Sequence, residues 1–257
     1  GIKGIKVDFF GGDKQFFMRY YQDILTDAND YGLTVNFHGT TLPRGWERLF
    51  PNFVTCEAVK GMEYITFEQA NADLEPSHCA TLPFTRNVAG PMDFTPVILN
   101  ARLGPNRVSG PERRTTAAFE LALPVIFFSG IQHFGLIPDN ISQFPFCVTD
   151  YLRAVPVTWD ETHFLSGTPG LDCVVARRSG DKWFVAGING QNKEKSFKLD
   201  LRKLIKPGSE GFAITDNAAS RNQVAKVDIV VPGKKLKLEM PVAPYGGFVM
   251  MLSEKKH

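Results

Sequence analysis

The chain has 257 residues, 43% of them hydrophobic and 22% charged, a composition that suits one large globular unit or two smaller ones. A formal net charge of +2 gives no electrostatic reason for a nucleic-acid or acidic-membrane partner, and no apolar run reaches the ~18 residues of a membrane span. The four cysteines, Cys56, Cys79, Cys147 and Cys173, lack a C-x-x-C spacing, which argues for free buried thiols over a zinc or redox pair.

The segment GIKVDFF (4–10) is apolar and reads as a strand, broken by Gly11-Gly12. A helix over about 13–31 follows, with Asp13 as N-cap and Gly32 as C-cap. Its apolar face is set by Phe16/Phe17, Tyr20/Tyr21, Ile24/Leu25 and Ala28, four residues apart. LTVNFHGT (33–40) is a second strand and FVTCEAV (53–59) a third, joined by the aromatic loop LPRGWERLFPN. Helices near 75–89, 113–129 (with Pro124 inside) and 143–154 follow, and IQHFGL (131–136) reads as a further short strand. Strands alternating with helices indicate parallel βαβ units, and long polar βα loops favour a (β/α)8 barrel over a doubly wound sheet. About five strands can be counted, so the chain reads as a barrel entered partway, the C-terminal part of a larger enzyme.

Beyond residue 165 the rhythm becomes DCVVARRS, DKWFVAGIN, KSFKLDL, GFAITD, QVAKVDIVV, KKLKLEM and GGFVMML, separated by turns such as SGDK, NGQN and PGKK. Seven short strands without a helix predict an antiparallel β-sandwich. The expected division is a partial barrel over 1–165 and a sandwich over 166–257.

Side chains alternate along a strand, so Lys6 and Asp8 share one face, Asn36 and His38 another, and Thr55 and Glu57 a third. Glu63 lies six residues beyond Glu57. Asp8, Glu57 and Glu63 would then converge on one rim. Two carboxylates across a rim are what glycoside cleavage needs, and a third suggests a hard cation. The bland alternatives are a structural Lys6–Asp8 ion pair and solvated loop glutamates. Trp46, Phe50 and Tyr64 could stack on a sugar or simply anchor loops. Asp93 could bind a hydroxyl or cap a helix. His133 reads as a satisfied core histidine, and Asp160 and His163 as structural residues at the junction.

KVDFF (6–10), NFHGT (36–40), RLFPNFVTCEAVKGMEY (48–64) and LPFTRNVAGPMDFTP (82–96) resemble glycoside hydrolase family 97, with WDET and ARRSGDKWFVAGI fitting its C-terminal sandwich. The resemblance implies a (β/α)8 barrel, here from about its fourth strand to its eighth, followed by that sandwich. Inverting members have a glutamate directly after the fifth-strand histidine, where this chain has Gly39. They lack the strand-four aspartate, where it has Asp8. The resemblance therefore implies a retaining exo-α-galactosidase with Asp8 as nucleophile and Glu63 as acid/base. Lys6, His38, Trp46 and Asp93 would contact substrate, and Glu57 and Glu63 a calcium ion that takes other ligands from outside this chain. It also implies an oligosaccharide or α-galactoside substrate and a periplasmic or secreted bacterial location. The alternatives are an α-glucosidase of the same family or a non-catalytic, carbohydrate-binding fragment.

Overall fold

A computed structural model of the chain describes residues 1–104, 108–231 and 237–254. It opens with strand β1 (Gly4–Val7), helix α1 (Gln15–Asp30), strand β2 (Thr34–Phe37) and strand β3 (Phe53–Cys56). The three strands form a parallel sheet in the order β1-β2-β3. Helix α1 covers its outer face with Tyr21, Leu25 and Ala28, whereas Phe16 and Tyr20 of the expected face remain exposed. Lys14 takes the N-cap position without a side-chain cap, in place of Asp13. Gly32, at φ 65°, turns the chain out of the helix, and its N–H bonds the Asn29 carbonyl.

Helices α2 (Met62–Ile65) and α3 (Gln69–Thr81) come next; α3 begins earlier than the sequence suggests and ends in two 3-10 turns at Leu82–Phe84 and Arg86–Val88. Helix α4 (Ala117–Ile126) is buried on every side, as its composition AAFELALPVI requires. Its N-cap is Thr116, whose hydroxyl accepts the Phe119 N–H. Helices α5 (Pro138–Ile141) and α6 (Phe146–Ala154) complete this part.

IQHFGL is not a strand. Around it and around residues 90–99 the chain has no regular secondary structure. Single backbone bonds replace a ladder: Met92 N–H to Phe128 O, Asp93 N–H to Cys56 O and Gly135 N–H to Pro96 O. Pro91 and Pro96 remove two donors, and Thr95 and Val97 hold positive φ (59° and 72°), which breaks strand geometry.

Eight strands follow: β4 (Glu161–Thr168), β5 (Asp172–Ser179), β6 (Lys182–Asn189), β7 (Lys195–Asp200), β8 (Glu210–Asp216), β9 (Val224–Val230), β10 (Lys237–Val242) and β11 (Gly247–Ser253). Six form one antiparallel sheet, β4-β5-β6-β11-β8-β9, and β7 pairs with β10 in a second. Seven strands match the seven sequence runs; residues 234–236 of KKLKLEM, and the PGKK turn at 232–235, lie outside the described residues. The additional strand, β4, starts before residue 166. It is an edge strand, ETHFLSGT, whose polar composition hides it.

β5 and β6 are buried along nearly their whole length because both faces are covered. One face packs with α4 into a core that includes Phe119, Phe184, Ala186 and Val249; the other meets β7 and β10 through Val185, Phe197, Leu199 and Phe248. All four cysteines are free and buried. No helix among the described residues is long and apolar enough to cross a membrane.

Candidate active site

The parallel sheet is in register at its C-terminal end: Val7 pairs with Phe37, and Phe37 with Cys56. The next residue on each strand is therefore in one layer: Asp8, His38 and Glu57. The ladder continues into that layer, His38 N–H to Val7 O and Glu57 N–H to Phe37 O, both 2.8 Å. Asp93 extends it by one position through its 2.9 Å bond to Cys56 O.

Immediately after each of the first three residues the backbone turns left-handed: Phe9 at φ 66°, Gly39 at 52° and Ala58 at 41°. Two of these are not glycine. Such residues cost roughly 1–3 kcal/mol each and collect at functional sites. The turn after Asp8 is anchored by Phe10, whose ring stacks on Tyr21 at 4.1 Å and whose N–H bonds Gly39 O. Phe9 itself is 93% exposed.

Asp8 Oδ1 accepts the Phe9 N–H at 2.7 Å, and Oδ2 lies 3.9 Å from Lys6 Nζ in a solvent-exposed pair. Such a pair is worth under about 1 kcal/mol. Gly39 is tightly constrained. A Cβ there would lie 2.9 Å from Asp8 Oδ1 and 3.0 Å from Phe9 N. A side chain at position 39 would therefore force Asp8 to shift and would itself sit at φ 52°, a strained conformation for any residue with a Cβ. The Gly39 N–H donates to Glu57 Oε2 at 2.9 Å, and Glu57 Oε1 lies 3.6 Å from His38 Nδ1.

Glu63 sits in the first turn of α2, which is held over the sheet by Met62 N–H to Phe94 O (2.9 Å). Gly61 allows this approach, since a Cβ there would be 3.0 Å from the same carbonyl. His38, Glu57 and Glu63 each offer a ligand atom within 4.8 Å of the others. Two carboxylates are hard oxygen donors that fit calcium; the imidazole nitrogen adds nothing to an oxygen shell. Glu57 and Glu63 are the two members of this cluster that could hold such an ion through oxygen.

Two expected substrate contacts are corrected by burial. Trp46 is packed in the core between α1 and the sheet, 4.8 Å from the Tyr21 ring and 6.2 Å from Phe53, so it offers no face to a sugar. Asp93 is only 2% exposed and its oxygens are already engaged. Oδ2 accepts from Asn36 Nδ2 (2.6 Å) and lies 2.7 Å from His38 Nε2, and His133 Nδ1 sits 3.0 Å away. Burial alone would raise the Asp93 carboxyl, but the hydrogen bonds from His38, Asn36 and His133 outweigh it and hold it below the ordinary aspartate range. His133 is not a core residue: it is half exposed and serves Asp93. His38 is itself nearly buried beneath the rim. Lys6 remains exposed beside Asp8, while Tyr64 lies on the α2 side under the Lys60 ammonium.

Sequence reasoning missed Arg86. It is buried and donates to the carbonyls of Cys56, Glu57, Ala58, Gly90 and Pro91, clamping the left-handed turn after Glu57 to the loop that leads into Asp93. An arginine in a short polar turn carries no sequence signal of such a role. Burial lowers its guanidinium pKa from the usual value.

Comparisons with known proteins identify the family. Residues 1–59 match the family described as "Glycoside hydrolase 97", and residues 158–253 match "Glycosyl-hydrolase 97 C-terminal, oligomerisation". The chain belongs to glycoside hydrolase family 97. A Streptomyces bingchenggensis protein described as "Probable retaining alpha-galactosidase" is 40% identical over 91% of the chain, and a Bacteroides thetaiotaomicron "Retaining alpha-galactosidase" is 31% identical over 98%. The chain spans 35% and 38% of those two relatives. Among solved structures, a "beta-arabinopyranosidase" superposes with a TM-score of 0.88 at 43% identity, covering 97% of this chain and 39% of that one. A family 97 enzyme from Pseudoalteromonas sp. strain K8, in complex with panose, gives 0.80 at 25% identity, covering 95% of this chain and 38% of that one.

Proposed function

We propose that this chain is the catalytic rim and C-terminal sandwich of a retaining exo-α-glycosidase that releases terminal α-galactosyl residues. Residues 1–165 would be the later part of a (β/α)8 barrel, with the irregular segments at 90–99 and 131–136 standing where further strands close it. The single bonds from Asp93 to Cys56 and from Met92 to Phe128 support that reading. Residues 166–257 would be the accessory sandwich, with β4 as the connecting edge strand.

Asp8 attacks the anomeric carbon from the face opposite the leaving group. Glu63 gives its proton to the glycosidic oxygen, and the Asp8–sugar ester forms as the C–O bond breaks. Glu63, now ionised, then takes a proton from water, which displaces Asp8 and restores the α-anomer. Lys6, exposed beside Asp8, can donate to a sugar hydroxyl. Glu57 and Glu63 would hold calcium, which supplies positive charge at the rim. Export to the periplasm or beyond accompanies this reading on the family resemblance alone.

The observation that carries the proposal is the packing of Gly39 against Asp8. A side chain at 39 that could activate water for single displacement would collide with the carboxylate that can attack directly. The test is to assay the complete protein on p-nitrophenyl α-galactoside and α-glucoside and to follow the first-formed product by NMR. Faster turnover of the galactoside with initial release of the α-anomer is expected; initial β-anomer overturns it.

A second reading is favoured by the 43% identity to the β-arabinopyranosidase structure. β-L-Arabinopyranose has the ring stereochemistry of α-D-galactopyranose without the C6 hydroxymethyl group, so the same carboxylate pair serves both. Including the p-nitrophenyl β-L-arabinopyranoside in the panel decides which ring the site prefers.

A further inference from the structure

Helix α3, the approach to α4 and three loops of the sandwich enclose a cleft of about 280 Å³, lined by Asp73, Arg114, Asn192, Arg221 and Tyr245. Asn192 lies between β6 and β7, Arg221 between β8 and β9, and Tyr245 between β10 and β11. Backbone bonds hold these loops together: Ala117 N–H to Arg221 O (2.8 Å), Thr116 N–H to Tyr245 O (3.1 Å) and Tyr245 N–H to Gln191 O (2.9 Å). The N–H groups of Thr116 and Ala117 are thereby spent within the protein, so side chains give the cleft its character. Tyr245 is held at φ 54°, a strained conformation for a residue with a Cβ and one that collects at ligand sites.

The side chains mix donors with an acceptor. Arg114 Nε donates to Asp73 Oδ1 (2.7 Å), and its Nη1 lies 3.5 Å from Glu112 Oε2. Gln69 Nε2 also donates to Asp73 Oδ1 (2.9 Å), which leaves Asp73 Oδ2 as an open acceptor. Arg221 spends one N–H on the Arg114 carbonyl (3.3 Å) and forms no ion pair among the described residues. The Asn192 amide and the Tyr245 hydroxyl make no hydrogen bond among the described residues. An anion drawn to Arg221 would also meet the Asp73 carboxylate. A hydroxyl both donates and accepts, so it suits a cleft that combines a carboxylate oxygen, a guanidinium and an amide. Tyr245 adds an aromatic ring with a polar tip, a surface for the C–H face of a sugar. The volume falls below the roughly 300–1,000 Å³ of pockets for drug-sized ligands, which fits a single pyranose ring.

We propose that this cleft is a second, non-catalytic sugar site. It takes one neutral pyranose residue, with Arg221, Asn192 and Asp73 Oδ2 on its hydroxyls and Tyr245 against its ring. Asp8 and Glu63 play no part in it. The choice of galactose as probe rests on the α-galactosidase reading above.

The test uses the complete protein. A fluorinated galactosyl fluoride that leaves its sugar esterified to Asp8 fills the catalytic site, read as an increase in mass. D-Galactose is then titrated into the trapped protein by ligand-observed NMR. Wild type should bind a further galactose with a Kd of about a millimolar. Arg221→Ala should weaken this about tenfold, the loss of a charge-assisted hydrogen bond, and Asn192→Ala about fivefold. Both side chains are exposed, so both variants should keep the wild-type melting temperature and kcat/KM on p-nitrophenyl α-galactoside. No galactose binding to trapped wild type, or wild-type affinity in both variants, would overturn the proposal. Inorganic phosphate is titrated in parallel; phosphate that displaces the galactose would define an anion site and overturn it too. Failure to trap contradicts the Asp8 reading instead. The titration then compares untrapped wild type with the variants, and equal binding still overturns the proposal.

Discussion

β5 and β6 of the sandwich run eight residues each and are covered on both faces. β1, β2 and β3 run four residues each and end in a layer of ionisable side chains. The first region buries Val, Phe, Ile and Ala continuously against α4 on one side and β7 and β10 on the other. The second spends its C-terminal end on Asp8, His38 and Glu57, and on left-handed turns directly after them. The turns at Phe9 and Ala58, which are not glycine, are unfavourable by themselves. They persist because Arg86 clamps the one after Glu57 and Phe10 anchors the one after Asp8 on Tyr21. The difference teaches where the strain is held: the rim carries backbone that would relax if free, and the regions around it supply the packing that prevents relaxation.

The sharpest break in that comparison is at the rim. Glu63→Gln in the complete protein should lower kcat on an α-galactoside with a poor leaving group by about 10²–10⁴-fold, the range of general acid catalysis. The loss should shrink for p-nitrophenyl substrates, which need less protonation. An equal loss on both substrates would remove Glu63 from the acid role.

Gly39→Ala comes next. Its methyl would sit 2.9 Å from Asp8 Oδ1 at a φ of 52°. Displacing the nucleophile should cost up to about 100-fold in kcat/KM with a much smaller change in melting temperature. Unchanged activity would mean that Asp8 is not held where the structure puts it.

Trp46→Ala should act on stability and not on recognition. A buried aromatic truncated to alanine costs about 3–5 kcal/mol, read as a lower denaturant midpoint, while KM stays near wild type. A large KM rise without destabilisation would restore Trp46 to the sugar site.

The smallest effect concerns the buried base of α4. Glu75 and Glu120 are both inaccessible, and burial, reinforced by the mutual proximity of the two carboxyls, pushes the Glu75 pKa well above its ordinary value. Burial likewise raises Glu120, against the opposing charge of Arg113. A raised folded-state pKa contributes stability that is full below the unfolded value and is lost as pH rises through the folded one. Glu75→Gln cannot ionise, so the stability of wild type relative to the variant should decline from acid to alkaline pH. Melting temperatures of the two proteins from pH 5 to 9 check this; a difference constant across the range contradicts a raised Glu75 pKa.

Much of the sandwich was legible because alternation and turn residues specify strands locally. β4 escaped because an exposed edge strand needs no apolar alternation. The parallel strands were legible in place but too long in expectation, since the left-handed residues Phe9, Gly39 and Ala58 end them and only glycine announces such a turn. IQHFGL looked like a strand by composition, yet its neighbours Pro91 and Pro96 and the positive φ of Thr95 and Val97 leave no regular ladder for it to join. Asp8, His38 and Glu57 could be placed at the strand ends from strand phase, whereas Glu63, off the strands in α2, was linked to them only by its nearness to Glu57 along the chain. Asp93 and Trp46 could not be assigned, because whether a polar or aromatic loop residue faces the cleft or the core depends on long-range packing.

The central claim is that Asp8 is a nucleophile and not half of a structural ion pair with Lys6. The most direct measurement is chemical rescue of Asp8→Gly in the complete protein with p-nitrophenyl α-galactoside. The variant should lose activity by at least about a thousandfold. Added azide, entering the space left by the carboxylate, should restore release of nitrophenol and give the β-galactosyl azide by a single inverting displacement. Near-normal activity of Asp8→Gly without azide, or rescue that yields the α-azide, would contradict the account.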